Sequence, residues 1–228
     1  MTADTPGVDA IANLVAAPAT DGVRTLEVRW IFPGQMEAEV SGWFGRFPAG
    51  AESREDIYLL DPQLGGLTVK VRGGEALEVK VLRDSPGILD VAGRARGRMQ
   101  SWQKWTFPLS PRGQDRGNPA GWRRVAKRRL ISRFPPGRSR IAPRAPRPGQ
   151  ALECKVELTA VRSCGYDWWS LGFEATGPAE LVRSELEATA ALVFAEALPG
   201  GKEIGLDESA SYADWLYRQS NAESAADI

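Results

Sequence analysis

The chain contains no histidine. No imidazole is present to act as a general base or metal ligand, so His-dependent triads and the usual zinc sites are excluded, and neither zinc nor haem is expected. Cysteine is almost absent: Cys154 and Cys164 are the only two. They allow one bridge at most, and without a secretory signal the expectation is two reduced thiols. No apolar run approaches the ~20 residues needed to span a bilayer. The N-terminus MTADTPGVDAIANLVAAPAT has neither the basic start nor the long apolar stretch of a signal peptide. No membrane partner is expected, and the expected location is the cytoplasm. Net charge is missing as well, because Lys+Arg and Asp+Glu both total 29. No long-range field draws the protein to nucleic acid or membrane, so any selectivity for anions must come from local arrangement.

With 228 residues and 43% hydrophobic content, the chain is long enough to bury a sizeable core as one domain. Residues 1–22 read as a weakly ordered lead-in, 23–217 as the domain and 218–228 as a disordered tail. Period-two alternation predicts strands near 24–32, 55–60, 66–72, 76–82, 101–107, 122–133, 151–161 and 168–176. The stretch PPGRSRIAPRAPRPG, residues 135–149, reads as a long basic, solvated loop. Between Pro178 and Leu198, the residues Leu181, Leu186, Ala190, Val193, Phe194 and Ala197 form an apolar stripe at helical spacing. Pro199-Gly200-Gly201 ends it. A last segment, SYADWLYRQ, offers Ser211 as an N-cap with Asp214 three residues on, and Trp215 and Leu216 to dock.

The strands separate charge from apolar bulk by parity. In TLEVRWIF, Leu26, Val28, Trp30 and Phe32 share one face while Glu27 and Arg29 share the other. GLTVKVRGG sets Leu67, Val69 and Val71 against Thr68, Lys70 and Arg72, and ALEVKVL sets Leu77, Val79 and Val81 against Glu78 and Lys80. Farther on, Val125, Lys127, Arg129 and Arg133 alternate with Ala126, Arg128, Leu130 and Phe134. LECKVELT opposes Glu153, Lys155 and Glu157 to Cys154, Val156 and Leu158, and SLGFEA opposes Glu174 to Leu171 and Phe173. Two arrangements satisfy this pattern. An open antiparallel sheet would turn the charges to solvent. A curved sheet closing on its charged face would make a tunnel whose bases converge on an anion, with lysines and arginines suited to phosphate oxygens. The mixture of Lys, Arg and Glu on nearly every polar face, in place of Thr, Ser and Asn, argues for the tunnel, but the pattern alone still leaves the open sheet the stronger of the two readings.

The order of segments resembles the CYTH superfamily, the triphosphate tunnel enzymes that include thiamine triphosphatase and class IV adenylate cyclase. LEVRWIF, DIYLLDP, TVKVRGG, LEVKVL, AKRRL, KVELTAV, LGFEA, a helix and SYADWL follow in that family's sequence of strands over roughly residues 24–217. The resemblance implies an α+β fold, an antiparallel β-barrel-like tunnel with flanking helices. It implies phosphate contacts from Lys70, Arg72, Lys80, Lys127 and Arg129, and Glu78 as a carboxylate that holds a neighbouring base. Glu157 and Glu174 would correspond to acidic positions near a metal, and the implied cofactor is Mg²⁺ or Mn²⁺.

The chain departs from the family pattern at the positions that would carry the metal. The family's first strand has Glu-x-Glu-x-Lys; here it has Glu27, Arg29 and Ile31. In the late Glu-x-Glu the first carboxylate is Gly172. Glu27 and Glu174 are left to bind one ion, or Arg29 replaces the metal as a fixed positive charge. The expected function is therefore binding of a phosphorylated small molecule or inorganic polyphosphate without hydrolysis. A metal-dependent triphosphatase and a non-enzymatic interaction module with an exposed charged face are the alternatives. The several tryptophans, among them Trp102, Trp105, Trp122, Trp168 and Trp169, are expected to fill gaps between sheet and helices, with one of the Trp102/Trp105 pair beside the tunnel. Nucleic acid is not an expected partner.

Overall fold

In the computed structural model, residues 22–61, 64–110, 121–135, 151–201 and 204–226 are described. Among these residues ten strands form, β1 (Val23–Pro33), β2 (Gly50–Leu59), β3 (Leu67–Arg72), β4 (Ala76–Asp84), β5 (Ile88–Val91), β6 (Ala95–Arg98), β7 (Gln100–Pro108), β8 (Trp122–Phe134), β9 (Glu153–Ser163) and β10 (Tyr166–Thr176). Three α-helices accompany them among the described residues: α1 (Ala38–Phe44), α2 (Val182–Val193) and α3 (Tyr212–Ala226). Eight strands close into an antiparallel barrel in the order β1-β10-β9-β8-β2-β3-β4-β7, and β5 and β6 form a separate hairpin. Closure leaves no unpaired barrel edge, which removes the aggregation hazard of an open sheet. The α+β barrel implied by the resemblance is the observed fold, and the open sheet that parity alone also allowed is not.

The apolar core lies outside the barrel. Leu26, Val28, Trp30 and Phe32 of β1, Cys154, Val156 and Leu158 of β9, and Leu171 and Phe173 of β10 point outward. They pack under Leu186, Ala190 and Val193 of α2 and Val40 and Phe44 of α1. Each such fully buried side chain stabilises by about 1.5–3 kcal/mol. Trp30, fully buried, meets Phe173 and Phe194 edge-on at 6.1 and 6.0 Å, and its indole N–H donates to the Arg96 carbonyl at 2.8 Å. The β5–β6 hairpin comes this close because residue 97 is glycine: a Cβ there would lie 2.5 Å from Val28 Cγ2 and 2.6 Å from the Trp30 ring.

A second cluster closes one end of the barrel. Trp215 and Leu216 of α3 insert among Ile31, Tyr58, Val125 and Val161, which point inward at that end. Trp168 packs edge-on against Trp215 at 5.3 Å. The Ser211 cap forms as expected: Ser211 Oγ accepts from Asp214 N–H at 3.1 Å, and Asp214 Oδ2 accepts from Ser211 Oγ at 2.8 Å. The helix continues to Ala226, through most of the stretch expected to be a disordered tail.

Other expectations shift at the edges. The strand expected at 55–60 starts at Gly50, and α1 and the β5–β6 hairpin were not anticipated. The stripe between Pro178 and Leu198 forms a helix only over Val182–Val193. Most of the basic loop at 135–149, and the lead-in apart from residue 22, lie outside the described residues. Cys154 is buried and Cys164 exposed, and both are unpaired. No helix among the described residues is long and apolar enough to cross a membrane.

Candidate functional site

The interior of the barrel is a cavity of about 160 Å³ lined almost entirely by polar and charged side chains. Every strand of the barrel contributes, because alternate residues of a strand face the same way. Glu27 and Arg29 enter from β1, Glu52 and Arg54 from β2, Lys70 and Arg72 from β3, and Glu78 and Lys80 from β4. Lys104 follows from β7, Lys127, Arg129 and Arg133 from β8, Lys155 and Glu157 from β9, and Glu174 from β10. All ten residues expected at the site therefore line one cavity. Ten cations face five carboxylates among these lining residues, and the buried Asp56 beside them makes six, so the interior is cationic although the chain as a whole is neutral.

Asp56 of β2 anchors the deepest part. It is fully buried, with Lys127 Nζ at 2.9 Å, Lys70 Nζ at 3.5 Å and Arg54 Nε at 2.9 Å. Burial works against its ionisation, yet Lys70, Lys127 and Arg54 hold its carboxyl far below the usual range. Lys127 also donates to the Tyr58 hydroxyl at 2.7 Å and lies 3.8 Å from the centre of the Tyr212 ring. Its own pKa is lowered, because burial outweighs the pull of Tyr58 and Asp56. Burial pushes the Tyr58 hydroxyl up to about 12, so it accepts that hydrogen bond as a neutral phenol.

The other carboxylates are paired along the inner wall, with bases on the adjacent strand or the next one over. Glu78 meets Lys70 at 2.9 Å. Burial raises its pKa, but Lys70, Lys80 and Lys104 bring it down to about 2. Glu157 is shared by Arg129 and Arg29, the latter at 3.3 Å. Burial again opposes ionisation, and the two guanidiniums hold the carboxyl at about 2. Arg129 also reaches Glu52 at 3.3 Å. Glu27 takes Lys80 at 2.6 Å and accepts from the Thr25 hydroxyl at 2.6 Å. Glu174 has Lys104 at 3.7 Å and Lys155 at 3.8 Å. Toward the end away from α3, Arg133 is 60% exposed and Arg72 is exposed. Among the described residues Arg72 forms no ion pair.

Several of these groups were not assigned to the site from sequence: Glu52, Arg54, Asp56, Tyr58, Lys104, Lys155 and Tyr212. In ESREDIY, the inward Glu52, Arg54, Asp56 and Tyr58 alternate with the outward Ser53, Glu55 and Ile57. The outward face there is itself largely polar, so the contrast that marks the other strands is weak. The tryptophans behave as packing residues. Trp169 stacks on Phe32 at 4.1 Å and Trp168 joins the α3 cluster, while Trp102 lines the cavity, 4% exposed.

A divalent ion needs converging carboxylate oxygens. Glu27 and Glu174 are register partners on β1 and β10, but lysines already take both. The next inward-facing pair in that register is Arg29 and Gly172. A Cβ at 172 would lie 2.6 Å from Arg29 Cζ, so the guanidinium occupies the room that a side chain there would need. Among the described residues no three of Asp, Glu and Cys gather as a metal-binding set. The donors present do not fit Mg²⁺ or Mn²⁺.

Fold and interior together define a closed eight-stranded antiparallel barrel with a polar, cation-rich lumen. No family model matches the chain, and no curated protein matches it. Among solved structures, the PH1819 protein from Pyrococcus horikoshii OT3 aligns over 86% of this chain and 99% of its own, with a TM-score of 0.43 and 12% identity. The barrel rests on this chain's own strand pairing.

Proposed function

We propose that the protein is a CYTH-like binder of a phosphorylated small molecule or inorganic polyphosphate, held in the barrel lumen without hydrolysis. One observation carries this reading: ten cations against five carboxylates line a single cavity in a chain with no net charge. Concentrating like charge inside a barrel costs stability unless something offsets it. A ligand with several anionic oxygens does so, and lysines and arginines supply its charge-assisted hydrogen bonds. Lys70, Arg72, Lys80, Lys127, Arg129 and Arg29 are the proposed contacts, with Glu78 and Glu157 holding Lys70 and the two arginines in place. The same reading keeps the cytoplasm as the location.

The test is a thermal-shift titration with tripolyphosphate, thiamine triphosphate and nucleoside triphosphates, alongside an assay for phosphate release. A ligand present at 100 times its Kd raises stability by about 2.7 kcal/mol, and Arg72→Ala weakens that effect without altering the unliganded melt. If none of the compounds shifts the melt, the reading fails. Phosphate release that Glu174→Gln abolishes would replace the binding protein with an active triphosphatase.

A further inference from the structure

Resting on the anion-binding reading, we infer that this cavity takes its ligand without a divalent cation, the positive charge at its base being built into the chain as Arg29. The Arg29 side chain is 12% exposed and fixed from three sides. Glu157 Oε2 lies 3.3 Å from Nη2, Ser170 Oγ accepts from Nη1 at 3.3 Å, and the Tyr212 ring lies 4.6 Å from Cζ. Ser170 is in turn fixed by the Tyr212 hydroxyl at 2.8 Å. On the fourth side is Gly172, where the missing Cβ leaves the space that the guanidinium fills. A cation held this rigidly is preorganised: it needs no reorganisation when an anion arrives, and it keeps N–H groups in reserve for phosphate oxygens.

The carboxylates are arranged to match. Each of the five that line the cavity has a Lys or Arg within ion-pair distance: Glu27 with Lys80, Glu52 with Arg54, Glu78 with Lys70, Glu157 with Arg29 and Glu174 with Lys104. A metal ion entering here would have to displace ammonium or guanidinium groups and leave them facing it inside a low-dielectric cavity. An anion meets the opposite situation, because it gains those same groups as the carboxylates release part of their hold. Metal and phosphate therefore compete for this cavity's charge balance. In solution, a divalent ion that chelates the polyphosphate lowers its effective charge and weakens binding.

The experiment is calorimetric titration of the full chain with tripolyphosphate, once in EDTA and once with Mg²⁺ in excess over the ligand. The expected result is binding in EDTA, weakened severalfold by Mg²⁺. Binding that appears only with Mg²⁺ would overturn the inference while leaving the anion-binding reading intact. No binding in either condition would bring down that reading and the inference with it. A second measurement follows free Mn²⁺ by electron paramagnetic resonance as protein is added without ligand. The free-ion signal is expected to persist, and stoichiometric loss of it would overturn the inference. Arg29→Gln is expected to lose tenfold or more in affinity in EDTA with no recovery on adding Mg²⁺, while Arg29→Lys recovers part of it. Unliganded melts of both variants separate this loss from unfolding, and an Arg29→Gln protein that folds and binds as tightly as the parent counts against the inference.

Discussion

Lys80 on β4 and Glu27 on β1 meet at 2.6 Å although β7 lies between their strands in the barrel. The contact passes over the inner face of β7, and it belongs to a set of ion pairs that tie the barrel wall together from inside. A barrel whose apolar core lies entirely outside and at one end depends on this polar interior being satisfied, because a half-paired buried network destabilises more than none.

Acid should unfold the protein over a defined range. Glu78 and Glu157 have folded pKa values of about 2 against an ordinary 4.5. Their folded values are depressed, so they bind fewer protons folded than unfolded. The stability they contribute is full above about pH 4.5 and disappears as pH falls through about 2. Denaturant melts between pH 7 and pH 2 are expected to show a plateau and then a steep loss below about pH 4.5; Glu78→Gln should flatten part of that slope.

Replacing Asp56 with Asn should cost about 3–5 kcal/mol, the usual result of removing one partner from a buried charge group. The variant leaves Lys70, Lys127 and Arg54 facing each other around a neutral amide. Equilibrium unfolding in urea measures the loss, and a cost below about 1 kcal/mol would show that water enters freely and screens these cations.

Gly172→Ala should destabilise by about 1–3 kcal/mol, as overpacking does, because its Cβ falls 2.6 Å from Arg29 Cζ. In the Arg29→Ala background the same substitution should cost much less. The coupling in a double-mutant cycle is expected to exceed about 0.5 kcal/mol, the value that separates contacting from independent sites.

At the closed end, Trp215 is 4% exposed and its indole nitrogen has no hydrogen-bond partner among the described residues. Trp215→Ala should cost about 3–5 kcal/mol through the cavity it leaves. Trp215→Phe removes an unsatisfied donor along with some volume, so its cost should stay well below that of the alanine variant. Similar losses for both would mean that the N–H group is satisfied in solution.

Period-two alternation made most of the barrel legible, since a strand with one apolar and one charged face announces both its conformation and its two environments. That is why Lys70, Arg72, Glu78 and Lys80 were assignable to one charged face from sequence, whereas Lys127 and Arg129, on a strand with Arg128 on its other face, were pointed out by the resemblance. It was weak for β2, where Ser53 and Glu55 face outward and blur the contrast. It missed α1 and the β5–β6 hairpin, whose seven and four-residue elements are too short to express a period.

By itself, then, the sequence determined which residues share a face, that no imidazole chemistry is present, and that charge within the chain is locally segregated. Only the tertiary structure decided that the charged face is the inside. Parity is a property of one strand, whereas closure depends on β1 pairing with both β7 and β10. The structure also decided what the two departures at positions 29 and 172 mean together. They lie 143 residues apart in the chain, as register partners, and the barrel sets a guanidinium in the space that a glycine leaves open.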